Sequence, residues 1–121
     1  MKGFIIVSIL ATLILANSDC THNKDVYKGR LEIKGICSNY TISVLEGEID
    51  TARIEAAWID ENTGKSYSNV FRLDQPCTFP DTIDAGEEFY FRIDTTEREC
   101  TVCMAYYPVP RKGLKIKVVD K

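Results

Sequence analysis

The residues of this chain best equipped for chemistry are its five cysteines: Cys20, Cys37, Cys77, Cys100 and Cys103. The last two form the Cys-x-x-Cys sequence Cys100-Thr101-Val102-Cys103, a spacing used by thiol oxidoreductases and by zinc knuckles. A redox pair wants its first thiol at a helix N-terminus, where the dipole lowers the thiol pKa. Zinc wants a tight turn that aims both sulfurs at one ion. Here Thr101-Val102 and the following Met104-Ala105-Tyr106-Tyr107 favour an extended strand. Residues three apart in a strand face opposite sides, which a single metal ion does not bridge. The cysteines therefore read as structural. Cys37, Cys77, Cys100 and Cys103 are expected to form disulfides, in a connectivity that spacing alone leaves open. A bridge from Cys37 to Cys100 or Cys103 would close a loop of more than ~60 residues, worth ~4 kcal/mol through its effect on the unfolded chain. Thiol-redox or zinc-binding chemistry at Cys100 and Cys103 is the alternative.

Other catalytic sets are poorly supplied. The single histidine, His22, lies in a polar stretch beside Cys20, without the rigid surroundings a Ser–His or Cys–His relay needs. No GxGxxG, P-loop or HExxH sequence occurs. Carboxylates are abundant (Asp60, Glu61, Asp81, Asp84, Glu87, Glu88, Asp94, Glu97, Glu99), but they flank turns, where solvated side chains are the rule. The expectation is a protein that is not an enzyme, with no cofactor and no metal. A net charge of −3 gives no electrostatic reason to seek nucleic acid.

The N-terminus carries an address. One lysine precedes an apolar run from Phe4 to Ala16. As a helix that run reaches about 20 Å, short of the ~30 Å hydrocarbon core of a bilayer. Ala16 and Ser18 are spaced as a signal peptidase requires, so residues 1–18 read as a signal peptide cleaved near Ser18–Asp19. Residues 19–26 form a polar tether and 27–121 one β-domain. Cys20, directly after the leader, is placed for lipidation, although Asp19 departs from the small neutral residue usual there. The expected location is the periplasm, the cell surface or the extracellular space, with membrane contact only through a lipid on Cys20.

Behind the cysteines stands a β pattern. Leu31 and Ile33, then Tyr40, Ile42 and Val44, then Ile54, Ala56 and Trp58, alternate with polar or small neighbours. Tyr67, Asn69, Phe71 and Leu73 share one face of another strand; Phe89, Phe91 and Ile93 are separated by Tyr90 and Arg92. Val102, Met104 and Tyr106 follow, and Leu114, Ile116 and Val118 alternate with Lys115 and Lys117. Short period-2 segments separated by turns predict an all-β fold of about six to seven strands. It would be a single small antiparallel barrel, OB-like and partly open, or a Greek-key β-sandwich, with Trp58 in the core. Asp60 to Gly64 reads as a hairpin loop, and residues 48–57 as a short helix or turn capped by Asp50 or Thr51 and leading into a strand. Lysines on the first and last strands (Lys28, Lys34, Lys115, Lys117) read as protection of sheet edges.

Leader, tether and Cys37, Cys77, Cys100 and Cys103 around a small β-domain together resemble uncharacterised small envelope proteins of the Bacteroidota. That resemblance implies export and assigns no activity. The functional expectation is an envelope or extracellular interaction or structural module whose ligand is a carbohydrate or a peptide. Strand alternation points Tyr90 and one of the adjacent Tyr106 and Tyr107 outward; Tyr90 and Tyr107 are the expected binding face. Asn39-Tyr40-Thr41 is a glycosylation sequon, meaningful only in a eukaryotic secretory pathway.

Overall fold

The computed structural model describes residues 25–120. The expected signal peptide, Cys20 and His22 lie outside the described residues. Strands form where alternation is cleanest: β1 (Tyr27–Lys34), β2 (Tyr40–Glu46), β3 (Glu55–Ile59), β4 (Ser66–Asp74), β5 (Glu88–Ile93) and β6 (Gly113–Val119). Their order is β2-β1-β5-β6-β4-β3, and β2 also pairs with β4. That second pairing, Thr41–Ser43 against Val70–Arg72, closes β2-β1-β5-β6-β4 into a five-stranded barrel and leaves β3 outside it.

The fold is thus the small OB-like barrel and not the sandwich, with two corrections. The barrel is closed, and it is mixed: β4 and β6 run parallel while every other pair is antiparallel. Closure explains the mixture, because an odd number of strands cannot alternate direction all the way around a ring. One neighbouring pair must be parallel.

Inward-facing residues fill the barrel. Leu31, Ile42, Phe71, Leu73, Phe89, Phe91, Leu114 and Ile116 form one cluster, joined by Phe79 from the β4–β5 connection and Ile54 from the approach to β3. The aromatic rings chain through it, Phe71 to Phe91 at 5.7 Å, Phe91 to Phe89 at 6.0 Å and Phe89 to Phe79 at 5.4 Å, separations favourable for tilted and edge contacts. Gly29 makes room for them. A Cβ there would lie 3.0 Å from the Phe91 ring and 3.1 Å from the Ser43 carbonyl oxygen.

Local signals place the turns. Gly64, at φ +74°, closes the β3–β4 hairpin by donating to the Asp60 carbonyl at 2.7 Å. Asp60 is 3% exposed; its carboxylate accepts from the Asn62 N–H at 2.9 Å and the Thr63 hydroxyl at 3.1 Å. It is a buried turn-maker, unlike the solvated carboxylates expected there. Asp50 accepts from the Ala52 N–H and caps a 3₁₀ turn, Thr51–Arg53, before β3.

Four further expectations are corrected. Residues 102–106 form no strand, although they alternate; the segment between β5 and β6 runs without a ladder and continues through the buried Pro108 and Pro110, which lack N–H donors. Trp58 is not in the core, because β3 lies outside the barrel and the indole packs half-buried on Tyr67, 5.8 Å between centroids. Asn69 has φ +54°, a left-handed backbone that breaks the face shared by Tyr67 and Phe71, so Val70 and Phe71 are both buried. Finally, lysine-rich β1 and β6 are each paired on both sides and are not edges.

This geometry separates two aromatic substitutions that alternation alone treats alike. Phe91→Ala empties the barrel centre and is expected to cost ~3–5 kcal/mol in urea unfolding. Trp58→Ala removes one half-exposed aromatic contact and is expected to cost about 1–2 kcal/mol. Equal losses would contradict the placement of β3.

Candidate functional site

Both β1 and β4 run antiparallel to β2, so they finish at the same end of the barrel. Each is followed by a 3₁₀ turn carrying a cysteine: Ile36–Ser38 with Cys37, and Pro76–Thr78 with Cys77. The segment between β5 and β6 is fastened to both. Cys37 bonds Cys103, 66 positions away, with Cα atoms 5.3 Å apart; Cys77 bonds Cys100, 23 positions away, with Cα atoms 5.7 Å apart. The four cysteines expected to be structural are thus brought together as two bridges. Cys100 and Cys103 are not partners of one another, and each is held by a different turn.

The first turn is shaped for this attachment. Cys37 and Ser38 both have left-handed backbone, φ +57° and +59°, at a cost of ~1–2 kcal/mol per residue. The Asn39 side-chain amide donates to the Ile36 carbonyl at 2.9 Å and to the Ala105 carbonyl at 3.2 Å. It thereby ties the turn to the segment beyond Cys103. The sequon nitrogen is therefore engaged within the fold, and Thr41 is fully buried. Gly35 accommodates Tyr107: a Cβ there would stand 2.6 Å from the tyrosine ring. Further along, Arg72 donates to the Arg111 carbonyl at 3.1 Å, and Lys115 pairs with Glu97 at 2.6 Å.

Two surfaces result. The first is a groove of about 380 Å³ lined by Cys37, Cys100, Cys103, Arg72, Asp74 and Arg98 among others. Its charges are internally answered, Arg72 by Asp74 at 2.9 Å and Arg98 by Asp94 at 3.6 Å. Hydrogen bonds from Thr96 hold the Asp94 carboxyl below its ordinary pKa, with the Arg98 charge adding to the effect. The second is an apolar ridge around the Cys37–Cys103 bridge. Met104 is 94% exposed and Tyr106 78%, with Val102 and Ile36 exposed beside them. The Tyr106 hydroxyl donates to the Glu61 carboxylate in the β3–β4 hairpin loop, which raises its pKa. The ring is anchored at its tip while its faces remain in solvent.

Sequence reasoning missed this ridge because it placed Val102, Met104 and Tyr106 along one inward strand face. In the sequence, Met104 and Tyr106, two positions apart, show only as alternation. The expected face, Tyr90 with Tyr107, is not assembled. Tyr107 is half-buried over Gly35, just past the end of β1. Tyr90 is half-buried on β5 opposite Lys28, near the start of β1. The strand between Lys28 and Gly35 spans ~20 Å. Lys28 lies 5.9 Å from the Tyr90 ring centroid, a cation–π distance.

Around Tyr90 the outer face is a ladder of charges. Glu88 is gripped by Lys28 at 3.0 Å and Arg30 at 3.2 Å, and Arg30 also reaches Glu32 at 3.5 Å. Hydrogen bonds from the two cations hold the Glu88 carboxyl below its usual pKa. Among the described residues, no three His, Cys, Asp or Glu side chains gather at metal-holding distance.

Compared with protein-family models, curated proteins and solved structures, the chain matches none.

A lowered Glu88 pKa means that its ion pairs support the fold above the ordinary glutamate range and release it as pH falls through the lowered value. In an NMR carboxyl titration, Glu88 is expected to have a midpoint below that of an unpaired glutamate. Lys28→Met with Arg30→Met should move that midpoint upward; an unmoved midpoint would contradict the pairing.

Proposed function

We propose that the protein is an exported, non-enzymatic interaction module of the cell envelope or extracellular space, either released or tethered through a lipid on Cys20. One observation carries this reading: Ile36, Val102, Met104 and Tyr106 expose large apolar surfaces around a disulfide that fixes their backbone. Exposed apolar clusters mark interaction sites. Fixing such a cluster before a partner arrives lowers the ordering cost of binding.

The composition of the ridge favours a peptide or protein partner over a carbohydrate. Sugar recognition relies on aromatic faces ringed by hydrogen-bonding groups, whereas this ridge offers one aromatic ring, Tyr106, among the aliphatic Ile36 and Val102 and the thioether of Met104. Met104 is adaptable and suits contact with apolar side chains of a partner. Two disulfides are consistent with an oxidising compartment. The leader and the likeness in layout to Bacteroidota envelope proteins point the same way. Thiol-redox or zinc chemistry at Cys100 and Cys103 has less support, since each sulfur is engaged with a different, distant cysteine.

The test is site-specific photo-crosslinking in the native host. A photoreactive residue at Met104 is expected to give a discrete adduct with another protein, lost when Ile36 and Tyr106 are both changed to Ser. No adduct, or the same adducts from a photoreactive residue at Lys117, would contradict the reading.

A further inference from the structure

The barrel has no edge, but the β3–β4 arm that projects from it does. Among the described strands, β3 is the one paired along one side only. Its guards are few: Glu55-Ala56-Ala57-Trp58-Ile59 is short and carries one charge at its start, but it contains no Lys, Pro or bulge. Ala56, Ala57 and Ile59 are exposed, and the two alanines leave the backbone open to close approach. The outward-facing groups can be identified. The Asp60 N–H donates to the Lys65 carbonyl at 2.9 Å, continuing the antiparallel register of Ile59 with Ser66 and Trp58 with Tyr67. Hydrogen-bonding groups alternate sides along a strand, so those of Trp58 and Asp60 face β4. Those of Glu55, Ala57 and Ile59 face outward.

We infer that β3 pairs antiparallel with β3 of a second copy of this chain, about a two-fold axis at Ala57. The proposal does not rest on the apolar ridge as a partner site. A strand that pairs with itself in this way must be complementary to its own reverse. Around Ala57 it is. Ala56 meets Trp58 of the second copy, and the small methyl leaves space for the half-exposed indole. Glu55 meets Ile59 of the second copy, in phase for reciprocal N–H to carbonyl bonds. Arg53, exposed at the end of the turn before β3, is brought opposite Glu61 of the second copy. The register is selected by charge. Sliding by two residues in one direction sets Glu55 against Glu61, and in the other sets Arg53 against Ile59. A strand this short buries little beside the ~1,200–2,000 Å² of a stable complex, so the association is weak and concentration-dependent.

Sedimentation velocity of the purified exported protein tests it. The expected mass rises with concentration from one chain toward two. Ala57→Lys places like charges on the axis and is expected to weaken the dimer by roughly tenfold or more. Arg53→Glu weakens it too, and adding Glu61→Lys restores it by exchanging the charges. Met104→Asp, on the ridge, leaves it unchanged, and circular dichroism checks that every variant is folded. The mass of one chain at every concentration, a dimer indifferent to Ala57→Lys, or a dimer dissolved by Met104→Asp would each overturn the proposal.

Discussion

The Cys37–Cys103 bridge fastens together two parts of the chain that no hydrogen-bond ladder joins. On one side is a reversal between β1 and β2 with two residues in left-handed backbone; on the other is a long segment without strand structure. Closing a loop of 66 positions restricts the unfolded chain by about 4 kcal/mol in the chain-entropy account. That is comparable to the backbone cost of the reversal and leaves the segment little freedom to leave. The second bridge, the Asn39 amide and the Tyr107 ring on Gly35 extend the hold along the segment. Met104 and Tyr106 face solvent because their backbone is held from behind.

Much of the barrel was legible because each of its strands obeys a local rule. Leu31, Ile42, Phe89, Phe91, Leu114 and Ile116 alternate with polar or small neighbours and fill the core. Asp60, Gly64 and Asp50 announce their turns through side-chain acceptors and a positive φ. What stayed hidden depends on which segments meet. Alternation is the same for β3, which lies outside the barrel, as for β5, which lies in it, so Trp58 looked like core. Residues 102–106 alternate as well, but bridges and buried prolines take them out of any ladder. Cys37 and Cys77 come within reach of the Cys100–Cys103 segment because β1 and β4 end together, a consequence of closure that spacing does not carry.

The surface divides by the same logic. On the barrel wall, charges answer one another: Glu88 with Lys28 and Arg30, Lys34 with Asp84, Arg72 with Asp74. Such pairs keep the wall soluble and contribute little to stability individually. Leu45 on β2 apart, the large exposed apolar side chains lie where the barrel pattern stops, at Ile36 in the β1–β2 reversal, on the bridged segment and at Ile59 on the β3–β4 arm. Tyr106 and Glu61 link the bridged segment to that arm. The closed barrel leaves both features on segments that its own ladder does not constrain.

The account stands on the pairing of the cysteines. Proteolysis of the unreduced protein from its native host, followed by mass spectrometry of the linked peptides, reads that pairing directly. The expected result is one peptide pair joining Cys37 to Cys103 and another joining Cys77 to Cys100. A Cys100–Cys103 bond, or free thiols at those two positions, would contradict it and return the protein to thiol or metal chemistry.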